Sequence, residues 1–71
     1  MNHPFSNMFE KALKKSTEQD NRVLKVAEML RRRGYATLEI YEVLQKLHHD
    51  LVQDSDIVIV AEALEEFGRF L

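Results

Sequence analysis

Along most of this chain, apolar residues return at intervals of three and four, the period of a helix with one buried face. The clearest case is Arg22 to Arg33. Val23, Leu24, Val26, Ala27 and Leu30 share one side there, with Arg22, Lys25, Glu28 and Arg31 between them. Gly34 marks the stop, because glycine readily takes the left-handed conformation that ends a helix. Arg31, Arg32 and Arg33 suit the negative end of its dipole. Upstream, Ser16-x-x-Gln19 reads as a capping box, so the expected helix spans 18–33. A second helix is expected over 38–53. Ile40, Leu44, Leu47 and Leu51 are spaced four, three and four apart, flanked by Tyr41, Val43, His48 and Val52, with Thr37 as N-cap. The run Ile57-Val58-Ile59-Val60 is locally ambiguous, since four β-branched residues in a row favour a strand. The following Ala61 to Phe67 is strongly helical, and Ile57, Val60, Ala61, Leu64 and Phe67 form one stripe. A third helix is therefore expected over 56–67.

The N-terminal stretch offers Phe5, Met8, Phe9, Ala12 and Leu13 as one apolar face, with Ser6 as a cap. Lys14 to Arg22 then holds no apolar residue. Either one long helix crosses solvent there, or a turn at 16–20 separates a short helix near 5–15 from the next. The Ser, Thr, Asp and Asn in that stretch favour the turn. The expected fold is all-α: a small antiparallel bundle of three main helices, with a short or frayed additional helix at the N-terminus. The expected core is Val23, Val26, Ala27, Leu30, Ile40, Leu44, Leu47, Leu51, Ile57, Val60, Ala61, Leu64 and Phe67.

Composition agrees with helices. The 71 residues include two glycines and one proline, few for a turn-rich β protein. This length supports one domain, with residues 1–15 either part of it or a separate amphipathic arm, and it is close to the size at which a single core becomes marginal. Cysteine is absent, which removes disulfides, thiol nucleophiles and cysteine-based zinc sites. Small domains without such staples often gain stability from a second subunit. No stretch approaches the roughly 20 apolar residues of a membrane span, and the first residues do not read as a signal peptide. A cytoplasmic protein without membrane attachment is the expectation.

The arrangement of helix, Gly34-Tyr35 turn, helix, and helix ending in Leu64-x-x-Phe67 resembles the three-helix layout of ubiquitin-associated domains. Arg33-Gly34-Tyr35 stands where that family carries a Met-Gly-Phe-type loop, and the second helix is longer. No function is carried over on the layout alone.

Charge is unevenly divided. Residues 1–35 hold eight Lys and Arg against four Asp and Glu, a net of +4, and residues 36–71 hold two against eight, a net of −6. Either the two halves offset each other within the fold, or they form a docking surface for a partner or a second copy. The basic half also admits nucleic-acid binding through Arg31, Arg32 and Arg33, and a helix–glycine–helix pattern resembles helix-turn-helix proteins. Against this, the third helix carries Asp56, Glu62, Glu65 and Glu66 beside Arg69 alone, and acidic side chains are repelled by phosphates.

No catalytic constellation, cofactor motif or fold-borne metal site is expected. His48 and His49 are adjacent, so they point about 100° apart on a helix and do not share one ion. His48 should flank the core and His49 face solvent. Asp54-x-Asp56 lacks the glycine and distal glutamate of a calcium loop. Met1-Asn2-His3 can chelate copper(II) or nickel(II) through its amine, backbone nitrogens and imidazole, a site that needs no fold and arises by chance. Phe5, Met8, Phe9, Leu13, Phe70 and Leu71 are the expected partner-binding residues. The function expected from the sequence is a small protein-interaction or oligomerisation module, with an unidentified protein or a second copy as partner. The alternative is a nucleic-acid-associated accessory protein.

Overall fold

The computed structural model describes residues 3–71. Among the described residues there are four α-helices and no strand: α1 (Pro4–Lys15), α2 (Arg22–Arg32), α3 (Thr37–Asp50) and α4 (Asp54–Phe67), followed by a single 3₁₀ turn at Gly68–Phe70. Each of the four helices touches the other three. The all-α expectation therefore holds, with α1 a regular 12-residue helix rather than a short or frayed one.

Local chemistry sets the boundaries. Pro4 opens α1, where its missing N–H costs nothing. The His3 ring Nδ1 accepts from the Phe5 N–H at 3.1 Å. The expected capping box at Ser16 and Gln19 does not form. Instead the Ser16 hydroxyl donates to the Ala12 carbonyl (2.9 Å) and accepts from the Arg22 N–H (3.0 Å), joining the end of α1 to the start of α2. Thr17 Oγ1 accepts from the amides of Gln19 and Asp20, so 17–20 is a turn. Asn21 is the N-cap of α2, accepting from the Leu24 N–H at 3.0 Å. α2 thus starts four residues later than expected, because threonine's hydroxyl satisfies these backbone amides outside a helix.

At the other end of α2, Gly34 has φ +97°. The Tyr35 N–H bonds to the Leu30 carbonyl and the Gly34 N–H to that of Arg31, the paired bonds of a Schellman motif. Thr37 is the first residue of α3 rather than its cap, and Ala36 takes the cap position without a side-chain hydrogen bond. α3 ends at Asp50, and extended backbone at Leu51 leads into α4. Ile57 to Val60 is helical within α4, since burial of the Val60 face outweighs the strand preference of these side chains.

The core consists of Phe5, Phe9, Ala12 and Leu13 from α1, Val23, Ala27 and Leu30 from α2, Ile40 and Leu44 from α3, and Val60, Ala63 and Phe67 from α4. Two corrections to the sequence reading follow. α1 contributes a third of the buried residues. In α4 it is Ala63, not Ala61, that is fully buried, so the inward row runs Val60, Ala63, Phe67. Val26, Leu47, Leu51, Ile57, Ala61 and Leu64 are only half-buried.

Side-chain contacts gather four helix ends. His3 Nε2 lies 2.8 Å from Glu39 Oε1. The Phe5 and Tyr35 rings meet edge-on at 5.0 Å. Arg31 lies over the Phe70 ring at 4.1 Å. The starts of α1 and α3 and the ends of α2 and α4 therefore share one end of the fold. Tyr35, Leu38, Phe70 and Leu71, all exposed, lie in these terminal segments.

Candidate interaction groove

An open groove of about 690 Å³ lies between α1 and α2. Its floor is apolar, made by Met8 and Ala12 from α1 and by Val26 and Met29 from α2. Five cations stand around it: Lys11 and Lys15 on α1, Arg22, Lys25 and Arg32 on α2. No carboxylate among the described residues lines it.

Helix periodicity explains the arrangement. Met8, Lys11, Ala12 and Lys15 are spaced three or four apart on α1, as are Arg22, Lys25, Val26, Met29 and Arg32 on α2, so each set forms one face. Ala12 is small, which leaves the space that the groove occupies. Methionine side chains are flexible and polarizable, and suit a surface that adapts to an apolar partner.

Two of the cations are partly neutralised. Asp20 in the connecting turn lies 2.6 Å from Lys25 Nζ and 3.2 Å from Arg22 Nε. The hydrogen bond from Lys25 is the main influence holding the Asp20 carboxyl below its ordinary range, with Arg22 adding to it. Lys11, Lys15 and Arg32 have no salt-bridge partner among the described residues. These are the charges most available to an incoming anion.

The residues singled out from the sequence are dispersed. Phe5, Phe9 and Leu13 are buried in the fold's own core and offer little surface to a partner. Met8 is half-buried and lies in the groove floor. Phe70 and Leu71 are exposed at the gathered helix ends. Arg31, Arg32 and Arg33 are all exposed, but only Arg32 lines the groove. Successive helical residues point about 100° apart, which separates the three. His48 is half-buried and His49 exposed. No group of three or more His, Asp or Glu positioned to hold a metal occurs among the described residues. Met1 and Asn2, and with them the N-terminal copper or nickel chelate, lie outside the described residues. No helix among the described residues is long and apolar enough to cross a membrane.

The groove is not legible in the sequence, where Val26 reads as a core residue and Met8 as part of a separate α1 face. The available signal was the pairing of Val26 with Met29 at i,i+3 between flanking cations. That signal becomes a site only when α1 is placed alongside α2.

No protein-family model, curated protein or solved structure matches this chain.

Proposed function

We propose that this chain is a small protein-interaction or self-association module with no chemistry of its own, built as an antiparallel helical bundle and binding through the α1–α2 groove. One observation carries the reading: a Met- and Val-floored groove walled, among the described residues, by five cations and no carboxylate. Such a groove suits an amphipathic helix whose apolar residues recur at i, i+3, i+4 and i+7 and whose flanks carry Asp and Glu. Apolar contact supplies affinity, and the complementary charge steers approach and fixes orientation.

The test is a titration of the protein with a synthetic helical peptide of that design, followed through the methyl NMR signals of Met8 and Met29. Those signals should shift, and Lys11→Glu/Lys15→Glu should remove the response. A peptide of scrambled order that shifts them equally, or no shift with either peptide, would refute the groove as a binding site.

A second reading, association with nucleic acid, draws on the exposure of Arg31, Arg32 and Arg33 beside the cations of the groove. Its phosphate contacts would make binding strongly salt-dependent. Fluorescence anisotropy with duplex and single-stranded DNA tests it. Binding that Arg31→Gln/Arg32→Gln/Arg33→Gln leaves intact would remove the assigned residues from that role.

A further inference from the structure

The basic and acidic faces of this molecule meet at the start of α2. Asn21 Nδ2 donates to the Ile59 carbonyl at 2.8 Å, fastening that start to the first half of α4. On one side of the junction, Arg22 and Lys25 open onto the α1–α2 groove. On the other side lies a smaller cleft of about 210 Å³, lined by Glu18, Asp54, Val58, Ile59 and Glu62 among others and containing no cation. The outer side of α4 there carries Asp54, Val58 and Glu62 four residues apart, all exposed. Val58 keeps 54% of its surface accessible.

Residues four apart form the ridges that one helix inserts into the groove of another. The α4 ridge reads acid, valine, acid. The groove between α1 and α2 reads cation, Met and Val, cation. The two surfaces are complementary in both charge and apolarity, and both belong to this chain. Within one molecule they cannot meet, because they lie on either side of the same α2 start. None of the ion pairs among the described residues joins the groove's cations to the carboxylates of α4.

Building on the reading of the groove as a protein-interaction site, we infer that its occupant is a second copy of this chain, with the α4 ridge of each copy lying in the α1–α2 groove of the other. Groove and ridge adjoin, so one two-fold axis near the start of α2 lets both contacts form together. That is the self-complementary interface of a closed dimer. Val58 reaches the Met8–Val26–Met29 floor. Asp54 and Glu62 reach the walls, where Lys11 and Lys15 have no salt-bridge partner among the described residues. Closure matters, because a single ridge-in-groove contact repeated head to tail would build an open chain of molecules.

Sedimentation equilibrium of the full chain tests this. At an ionic strength of about 0.01 M the mass should be twice the 8.4 kDa of one chain. At about 1 M salt, the association constant should fall by about tenfold or more, as charges across the interface are screened. Two charge reversals decide the geometry. Lys11→Glu/Lys15→Glu sets carboxylates against Asp54 and Glu62 of the ridge, and Asp54→Lys/Glu62→Lys sets two new cations against those of the groove. All four positions are exposed, so circular dichroism should show both variants folded. Each variant alone should be monomeric at low salt, and an equimolar mixture should recover the dimer, since each now complements the other. A wild-type chain that stays monomeric at low salt overturns the inference. So does a dimer that either reversal leaves intact, or a mixture that stays monomeric. If the wild type is monomeric but its Met8 and Met29 signals still respond to the acidic peptide, the groove remains an interaction site and self-pairing alone is lost.

Discussion

At the scale of single residues, Asn21 does more than its position suggests. Its Oδ1 caps α2 through the Leu24 N–H, and its Nδ2 reaches the Ile59 carbonyl across the fold. An N-cap contributes about 1 kcal/mol, and a hydrogen bond of this kind about 1 kcal/mol more. Asn21→Ala should therefore lower the unfolding free energy by about 2 kcal/mol in urea denaturation. Asn21→Asp keeps the cap acceptor and removes the donor, so its loss should be about half as large. An Asn21→Asp variant as stable as wild type would mean that the bond to Ile59 contributes nothing, and equal losses for the two variants would mean that the cap contributes nothing. Asn21 was hard to find from the sequence because Ser16, Thr17 and Asp20 compete with it as cap candidates. All are good capping types, and the choice among them depends on where α4 lies.

At the scale of elements, α1 changes the picture most. Phe9 is fully buried, and Phe5, Ala12 and Leu13 are nearly so. Truncating a buried phenylalanine to alanine costs about 3–5 kcal/mol. A domain of this size has about 4–10 kcal/mol of stability in total. Phe9→Ala should leave a chain that has lost most of its cooperative melt, as followed by circular dichroism against temperature. A melt within a few degrees of wild type would show that α1 is dispensable to the core. The helices themselves were readable from periodicity, and Gly34 marked its stop because few residues accept φ +97°. The packing was less readable. Ala61 and Ala63 flank Glu62, and both fit a helical stripe running through Phe67. Which one faces inward is set by the position of α4 between α2 and α3, which no local pattern records. The groove was hidden for the same reason: Met8 and Val26 look like core residues until the α1–α2 contact leaves them half covered.

At the scale of the whole molecule, the division of charge is left largely unresolved within the chain. The ion pairs among the described residues are local, apart from the contact between His3 and Glu39. Arg22 and Lys25 pair with Asp20 of the same turn, and Arg69 pairs with Glu66 one turn away. Exposed pairs of this kind contribute about 0–1 kcal/mol each. Salt should therefore matter little to the fold of one chain and a great deal to association between chains. The Lys11→Glu/Lys15→Glu variant, which should stay monomeric if the inferred pairing holds, isolates the first effect. Between about 0.01 M and 1 M salt its unfolding free energy should move by less than about 1 kcal/mol. The wild type should behave differently at low salt, because a dimer is stabilised by mass action and its melting temperature rises with protein concentration. At high salt that concentration dependence should shrink. A wild-type melting temperature independent of concentration at low salt would mean that the opposed faces do not meet in a dimer. A large salt effect on the reversed variant would place the attraction between the two halves inside a single chain.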